Sequence, residues 1–299
     1  MPLRVGYIRE HFSSPLLQYA EADGGKTFTL VECPSGTGQI ITRLTNDEID
    51  VAVALTDPLI SGIARGSEHY KLVGSYVTTP LNWAVITGKD TQYKEISDLQ
   101  KTTIGISRYG RSILPSASGS QTMAYVMALQ QGWPTDKMQF QVNNDIRGLI
   151  HSVNDGTTSA FMWEWFTTKP FVDAGEAQFI GSVPTPWPSW LIAAHPTRAS
   201  PEALRTFLDT LTTYVRTFDD PAQRAAADVE YIKDKFGYPE DDVKAWLKTV
   251  AWTHDCSSIP TKVIADTLDV LTKAGFINSP SSSGFDVGRF VNGDVAKLV

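Results

Sequence analysis

Between residue 3 and about residue 190, short apolar runs alternate with longer stretches whose apolar positions recur every third or fourth residue. The first kind of pattern fits buried strands and the second fits helices packed on one face. The strand-like runs are "LRVGYI" (3–8), "FTLVEC" (28–33), "DVAVAL" (50–55), "YKLVGSYV" (70–77), "WAVITG" (83–88), "TTIGISR" (102–108), "MQFQVN" (138–143), "SAFMWE" (159–164) and "AQFIGSV" (177–183). Most are separated by helix-length segments, which predicts an α/β protein with largely parallel sheets.

Several helix boundaries are specific. "TDPLISGIARG" places Asp57 as N-cap, Pro58 at the first helical position and Gly66 as the stop. "SGSQTMAYVMALQQG" has Ser118 and Gln121 at capping-box spacing, and its Met123, Val126 and Met127 form a core-facing stripe. "NNDIRGLIHSVNDG" starts a helix at Asn144 or Asp145 and ends it at Gly156. Beyond about residue 196 the pattern becomes four successive amphipathic helices, each opening at or near a proline: "SPEALRTFLDTLTTYVRTF", "PAQRAAADVEYIKDKFG", "PEDDVKAWLKTV" and "PTKVIADTLDVLTKAG". "SVPTPWPSW" (182–190) is too stiff and apolar for a loose linker and reads as a crossing between two lobes. "NSPSSSG" (278–284) reads as a polar loop. The sequence shows no internal repeat.

At 299 residues, one large or two ordinary domains fit. The net charge of -7 argues against a nucleic-acid partner, which needs a basic face. No run of about eighteen apolar residues occurs, so no membrane span is expected. "MPLRVGYIRE" has no charged segment followed by an apolar one, so the expected location is cytoplasmic. Cys33 and Cys256 are then expected to be free thiols. The five histidines are scattered, and neither a metal nor a cofactor is expected.

The candidate chemistry starts at "VECPSGTGQIITRL" (31–44), where a strand runs through a glycine turn into a helix. Such a turn can cradle an anionic group. A dinucleotide fingerprint fits poorly, because Ile41 stands where the third glycine belongs and the turn follows the second strand. No Gly-Lys-Ser/Thr follows, which excludes a P-loop. In open α/β sheets ligands bind beyond the carboxyl ends of the strands. The residues at those ends form a coherent set. Ser35, Gly36, Thr37 and Gly38 follow the second strand, and Thr56 and Asp57 the third. Ser107 and Arg108 follow the sixth, with Arg111 close behind, and Gly119 and Ser120 start the next helix. Trp163, Glu164 and Trp165 end the eighth, while Trp187 and Trp190 lie in the crossing. Hydroxyls, helix amides, arginine, a carboxylate and tryptophans make a small-molecule pocket. They do not make a catalytic triad, and no paired carboxylates stand out.

The initial strand, the "E-x-P-x-G-x-G" turn, "IDVAVALTDPLISGIARG", "ISDLQKTTIGISR", the Gly-Ser helix start and "DGTTSAFMWEWF" occur in an order that resembles type II periplasmic binding proteins. The likeness is to the sulfonate, nitrate, taurine and thiamine-pyrimidine group, in particular the NMT1/THI5-like branch and its cytosolic fungal relatives. The resemblance implies two α/β lobes joined by two crossings, with ligand in the cleft and a C-terminal helical segment. One lobe would hold residues 1–82 and 188–299, the other 83–187. The resemblance places ligand contacts on the strand-end residues already named. Pyrimidine synthases of thiamine biosynthesis resemble the same group but carry a lysine and a histidine just after the stretch that matches "DVAV" (50–53). Here Ala54 and Pro58 stand in their places, and the cysteine-rich iron motif is absent.

The expectation is a two-lobed binding protein that closes on a small molecule. An amino-heteroaromatic such as a thiamine-precursor pyrimidine is favoured by Glu164 among tryptophans, and a small sulfonate-like anion by Arg108 and Arg111. The alternatives are a non-redox enzyme on this fold acting on such a pyrimidine and, more weakly, a nucleotide-dependent oxidoreductase.

Overall fold

The computed structural model describes residues 1–107, 119–278 and 284–299. The chain opens with β1 (Leu3–Tyr7), α1 (Ser14–Asp23), β2 (Phe28–Glu32), α2 (Thr37–Thr45), β3 (Val51–Leu55), α3 (Thr56–Ala64) and β4 (Lys71–Val77). It continues with β5 (Asn82–Gly88), β6 (Thr103–Ile106), α4 (Gly119–Gln130), β7 (Gln139–Val142), α5 (Ile146–Asn154), β8 (Ala160–Glu164), α6 (Trp165–Asp173), β9 (Ala177–Pro184) and β10 (Trp190–Ala194). The remainder is α7 (Pro201–Phe218), α8 (Pro221–Ala225), α9 (Ala227–Phe236), α10 (Glu240–Leu247), β11 (Ser258–Ile259), α11 (Thr261–Lys273) and β12 (Lys297–Leu298).

Two five-stranded sheets carry the architecture, ordered β2-β1-β3-β10-β4 and β7-β6-β8-β5-β9. Each has four strands running the same way and one antiparallel strand inserted between the third and the fourth. The inserted strand in each sheet is the first one formed after the chain crosses from the other sheet. The two crossings run side by side: Ser189 and Thr185 donate their amides to the carbonyls of Thr79 and Leu81 at 3.0 and 2.9 Å. Strands such as β3, "VAVAL", are buried on both faces and so show no alternation. One continuous core runs from the first sheet through its covering helices and onto one face of the second. A smaller core, around Leu149, Ile150 and Phe161, fills the space under α5.

Each strand-like run of the sequence is a strand. β10 is an addition: it starts at Trp190, the last residue of the expected crossing, and runs through residues for which the pattern predicts no element. Its five buried residues "WLIAA" carry no period that would separate a strand from an apolar connection. The expected helix from Pro221 to Gly237 is two helices, broken at Ala226 (φ −141°, ψ −80°). Arg224 donates to the carbonyls of Leu247 and Val250, which anchors α8 to the end of α10. Asp57 is not an N-cap. α3 begins two residues earlier than expected, with Leu55 at the cap and no side chain bonding there. The expected capping residue Ser118, with Arg108 and Arg111, and most of the expected loop at 278–284, lie outside the described residues. Among the described residues no helix is long and apolar enough to cross a membrane. Cys33 and Cys256 are both buried and unbridged.

Candidate functional site

A cavity of about 210 Å³ opens between the carboxyl ends of the two parallel sets of strands. One wall comes from the first sheet: Ile8 and Glu10 after β1, Pro34 to Gly38 after β2, Leu55 at the end of β3, and Trp190 at the start of β10. The other comes from the second: Trp83 at the start of β5, Ser107, Gly119 and Ser120, Asn144 to Ile146, and Trp163 with Glu164. Of the residues singled out in the sequence, Ser35, Gly36, Thr37, Gly38, Ser107, Gly119, Ser120, Trp163, Glu164 and Trp190 reach this cavity. Thr56, Asp57 and Trp187 do not line it.

The turn before α2 is held by its own short bonds. Gly36 donates its amide to Cys33, and Ser35 donates to Gln39 Oε1 at 2.9 Å. Gly36 occupies φ 81°, ψ −168°, a region essentially reserved for glycine. No side chain caps α2. Its first amides, those of Thr37 and Gly38, therefore have no intrahelical acceptor and stand at the cavity wall with the positive end of the helix dipole. The Thr37 hydroxyl is engaged, accepting the Leu55 amide at 3.2 Å.

The β8–α6 corner uses the same topology with different chemistry. Glu164 caps α6: its Oε2 accepts the Thr167 amide at 2.7 Å and the Thr167 hydroxyl at 2.8 Å. The side chain is buried. Burial pushes its pKa up to about 7, against the lowering effect of the Thr167 and Phe166 amides and the Thr167 hydroxyl. His11 Nε2 lies 3.8 Å from the same oxygen, beyond hydrogen-bond range. The imidazole is packed against the rings of Phe12, Tyr238 and Trp246, at centroid distances of 4.7, 5.1 and 4.2 Å. Burial holds its pKa down to about 3, so it is neutral and the contact is not an ion pair. Glu10 reaches the cavity from the opposite wall. Glu10 is half-buried; its pKa is raised to about 8, first by loss of hydration in the cavity and then by the negative field of Glu164. Asp145 caps α5 by accepting the Gly148 amide at 2.9 Å. No lysine, arginine or histidine is among the described lining residues.

Asp57 has a different place. It is buried behind the cavity, facing Thr122 of α4 and Trp187 of the returning crossing, and burial raises its pKa to about 7. Thr56 donates its hydroxyl to the Pro188 carbonyl. These two residues, with Trp187, tie the first sheet to the crossing. Trp165 stacks on Phe179 at 4.1 Å, away from the cavity.

Glu10 and Trp83 were not singled out from the sequence. Glu10 follows the first strand, so the strand-end rule applied to β1 would have found it. Trp83 and Trp190 open the antiparallel strands, whose amino ends lie beside the carboxyl ends of their parallel neighbours. The pairing of Glu10 with Glu164, 154 positions apart in the chain, has no local signal. Gly119 is needed for space, since a Cβ there would sit 3.0 Å from the Trp83 ring and 3.1 Å from Leu55 Cδ1. No group of three or more metal-ligating side chains occurs among the described residues.

A family model described as Ca3427-like PBP matches residues 83–183. The Candida albicans CA3427 gene product, described as defining a new family with the generic periplasmic binding protein fold, is 31% identical. The alignment covers 100% of this chain and 98% of that one, with a TM-score of 0.87. The alkanesulfonate-binding protein SsuA from Xanthomonas axonopodis pv. citri, solved with MOPS bound, is 15% identical over 100% and 98% of the two chains, with a TM-score of 0.74. The periplasmic nitrate-binding protein NrtA from Synechocystis PCC 6803 is 12% identical over 98% and 86%, with a TM-score of 0.72. No curated protein matches the chain. The expected two-lobed α/β architecture is the one these structures share.

Proposed function

The chain belongs to the Ca3427-like family of proteins with the periplasmic-binding-protein fold, and from that premise we propose that it is a solute-binding protein whose lobes close on an amino-heteroaromatic or cationic small molecule. Residues 1–82 with 188–299 would move as one body and 83–187 as the other, about the paired crossings. The observation that carries this reading is the buried Glu164 carboxylate beside Trp163, faced by Glu10 and Trp83, with no described cation on the cavity wall. Aromatic faces and carboxylates together recognise a flat, amino-bearing or positively charged ring. A thiamine-precursor pyrimidine belongs to that class, and membership of the NMT1/THI5-like branch is part of the proposal. So is a cytoplasmic location, which the two unbridged cysteines suit.

A sulfonate-like anion is the second reading. It is favoured by the uncapped start of α2 at Gly36 to Gly38, and by SsuA, which binds alkanesulfonates. Arg108 would join such a ligand in this reading. Catalysis is not assigned, because binding alone uses every feature described.

A thermal-shift panel of aminopyrimidines, quaternary amines and alkanesulfonates separates the two readings, followed by calorimetry on Glu164→Gln. An amine or aminopyrimidine should be the best hit, and the substitution should weaken it more than tenfold, about 1.4 kcal/mol or more. A sulfonate as best hit, bound as well or better by Glu164→Gln, would overturn the first reading in favour of the second.

A further inference from the structure

Glu10 follows β1 of the first sheet, and Glu164 ends β8 of the second. Both line one cavity, so closing the cleft brings two carboxylates towards each other. Like charges in a confined, poorly hydrated site cannot both ionise freely, and such a pair titrates as a unit. Among the described residues, the groups facing them do not supply a balancing charge. His11, 1% exposed and with neither ring nitrogen hydrogen-bonded, is held neutral by the rings around it. Tyr238 feels the negative field of both carboxylates and is pushed further towards its neutral form. Lys169, on α6, bonds Asp173 and Asp242 instead. Arg9, next to Glu10, donates to the Lys235 carbonyl. Asp145 adds a third carboxyl to the wall, engaged at the start of α5. No described residue hydrogen-bonds the Glu10 carboxylate.

Resting on the ligand class proposed above, we infer that Glu10 and Glu164 form a charge-selecting pair that holds one proton when the cleft is closed and empty, and releases it to solvent when a monocationic ring takes its place. The cleft then selects by charge as well as by shape. A cation substitutes for the proton between the lobes, whereas a neutral ring of the same outline leaves the proton where it is. Glu10 is the specificity-determining member, because Glu164 is also committed to capping α6.

Two isosteric probes test this: the permanent cation 1-methyl-4-aminopyridinium and neutral 4-methylaniline. Calorimetry in phosphate and in Tris, whose ionisation heats differ, should show roughly half to one proton released per cation bound near neutral pH. Affinity for the cation should rise about tenfold between about pH 6.5 and about pH 8.5, while that for 4-methylaniline stays level. Glu10→Gln should abolish the release and flatten the profile; Glu164→Gln should do the same if the first variant misfolds. Cation binding with a level profile and no proton release overturns the pair and leaves the ligand class standing. If neither probe binds, the ligand class falls, and ligand-free scattering decides the pair. The wild type should be more compact at about pH 5.5 than at about pH 8.5, and Glu10→Gln should lose that difference. Equal radii in the wild type at both values would overturn it.

Discussion

The β2–α2 turn and the β8–α6 corner are the same device in two lobes, a parallel strand running into a helix at the cleft, yet they present opposite electrostatics. At the first, a glycine holds the cap position and the helix amides stay open. At the second, the capping side chain is itself a carboxylate, which occupies the helix amides and turns the wall negative. One residue at the cap therefore decides whether a strand end attracts anions or cations. A ligand carrying both an anionic and an amino group would use both walls.

The largest effect is expected from breaking the negative wall. Glu164→Ala removes two bonds to Thr167 and leaves its half-buried amide without an acceptor, so stability should fall by about 2 kcal/mol. Glu164→Gln keeps an acceptor and should fall by much less, although it loses the charge. Chemical denaturation of both variants checks this, and equal losses would mean that Glu164 does not act as a cap. On the other wall, Gly36→Ala forces a Cβ into a glycine-only conformation and should cost about 2 kcal/mol. A neutral effect would show that the turn is free to rearrange.

The next effect is one of pH. Glu10 and Glu164 have folded-state pKa values raised above their ordinary ones, to about 8 and about 7. Their contribution to stability is complete below the ordinary carboxylate range and is lost as pH rises through those values. Ligand-free stability should thus drop by on the order of 1 kcal/mol from about pH 5.5 to about pH 8.5. Glu10→Gln should reduce that slope, and a melting curve that rises over this interval would contradict the assignment. The smallest effect concerns the contact between the walls. Gly119→Ala presses on Trp83 and Leu55, both side chains able to yield, and should weaken the best ligand about threefold in calorimetry.

The strands were legible because each is a short apolar run bounded by turn residues, and that information is local. The open start of α2 was legible for the same reason: Ser35 to Gly38 are contiguous and their chemistry follows from the turn they make. Asp57 shows where local reading fails. Asp-Pro is a good helix-start signal, but pairing of β3 with β10 carries Thr56 into bonds with Pro188 and Ser189, so the helix begins earlier and Asp57 turns inward. The shared strand order of the two sheets left no trace in the sequence, because a topology can repeat with different side chains. Arg108, singled out in the sequence, lies outside the described residues.

By itself, then, the sequence determined the alternation of strands and helices, the resemblance to a binding-protein fold, and most of the strand-end residues that line the cavity. Only the tertiary structure decided that β5 and β10 insert antiparallel, bringing Trp83 and Trp190 to the cleft, and that Glu10 faces Glu164 across it. The physical reason is range. Turn chemistry and hydrophobic period act between neighbours in the chain, whereas the charge of a cleft is set by groups that meet only after two sheets have formed and the chain has crossed between them twice.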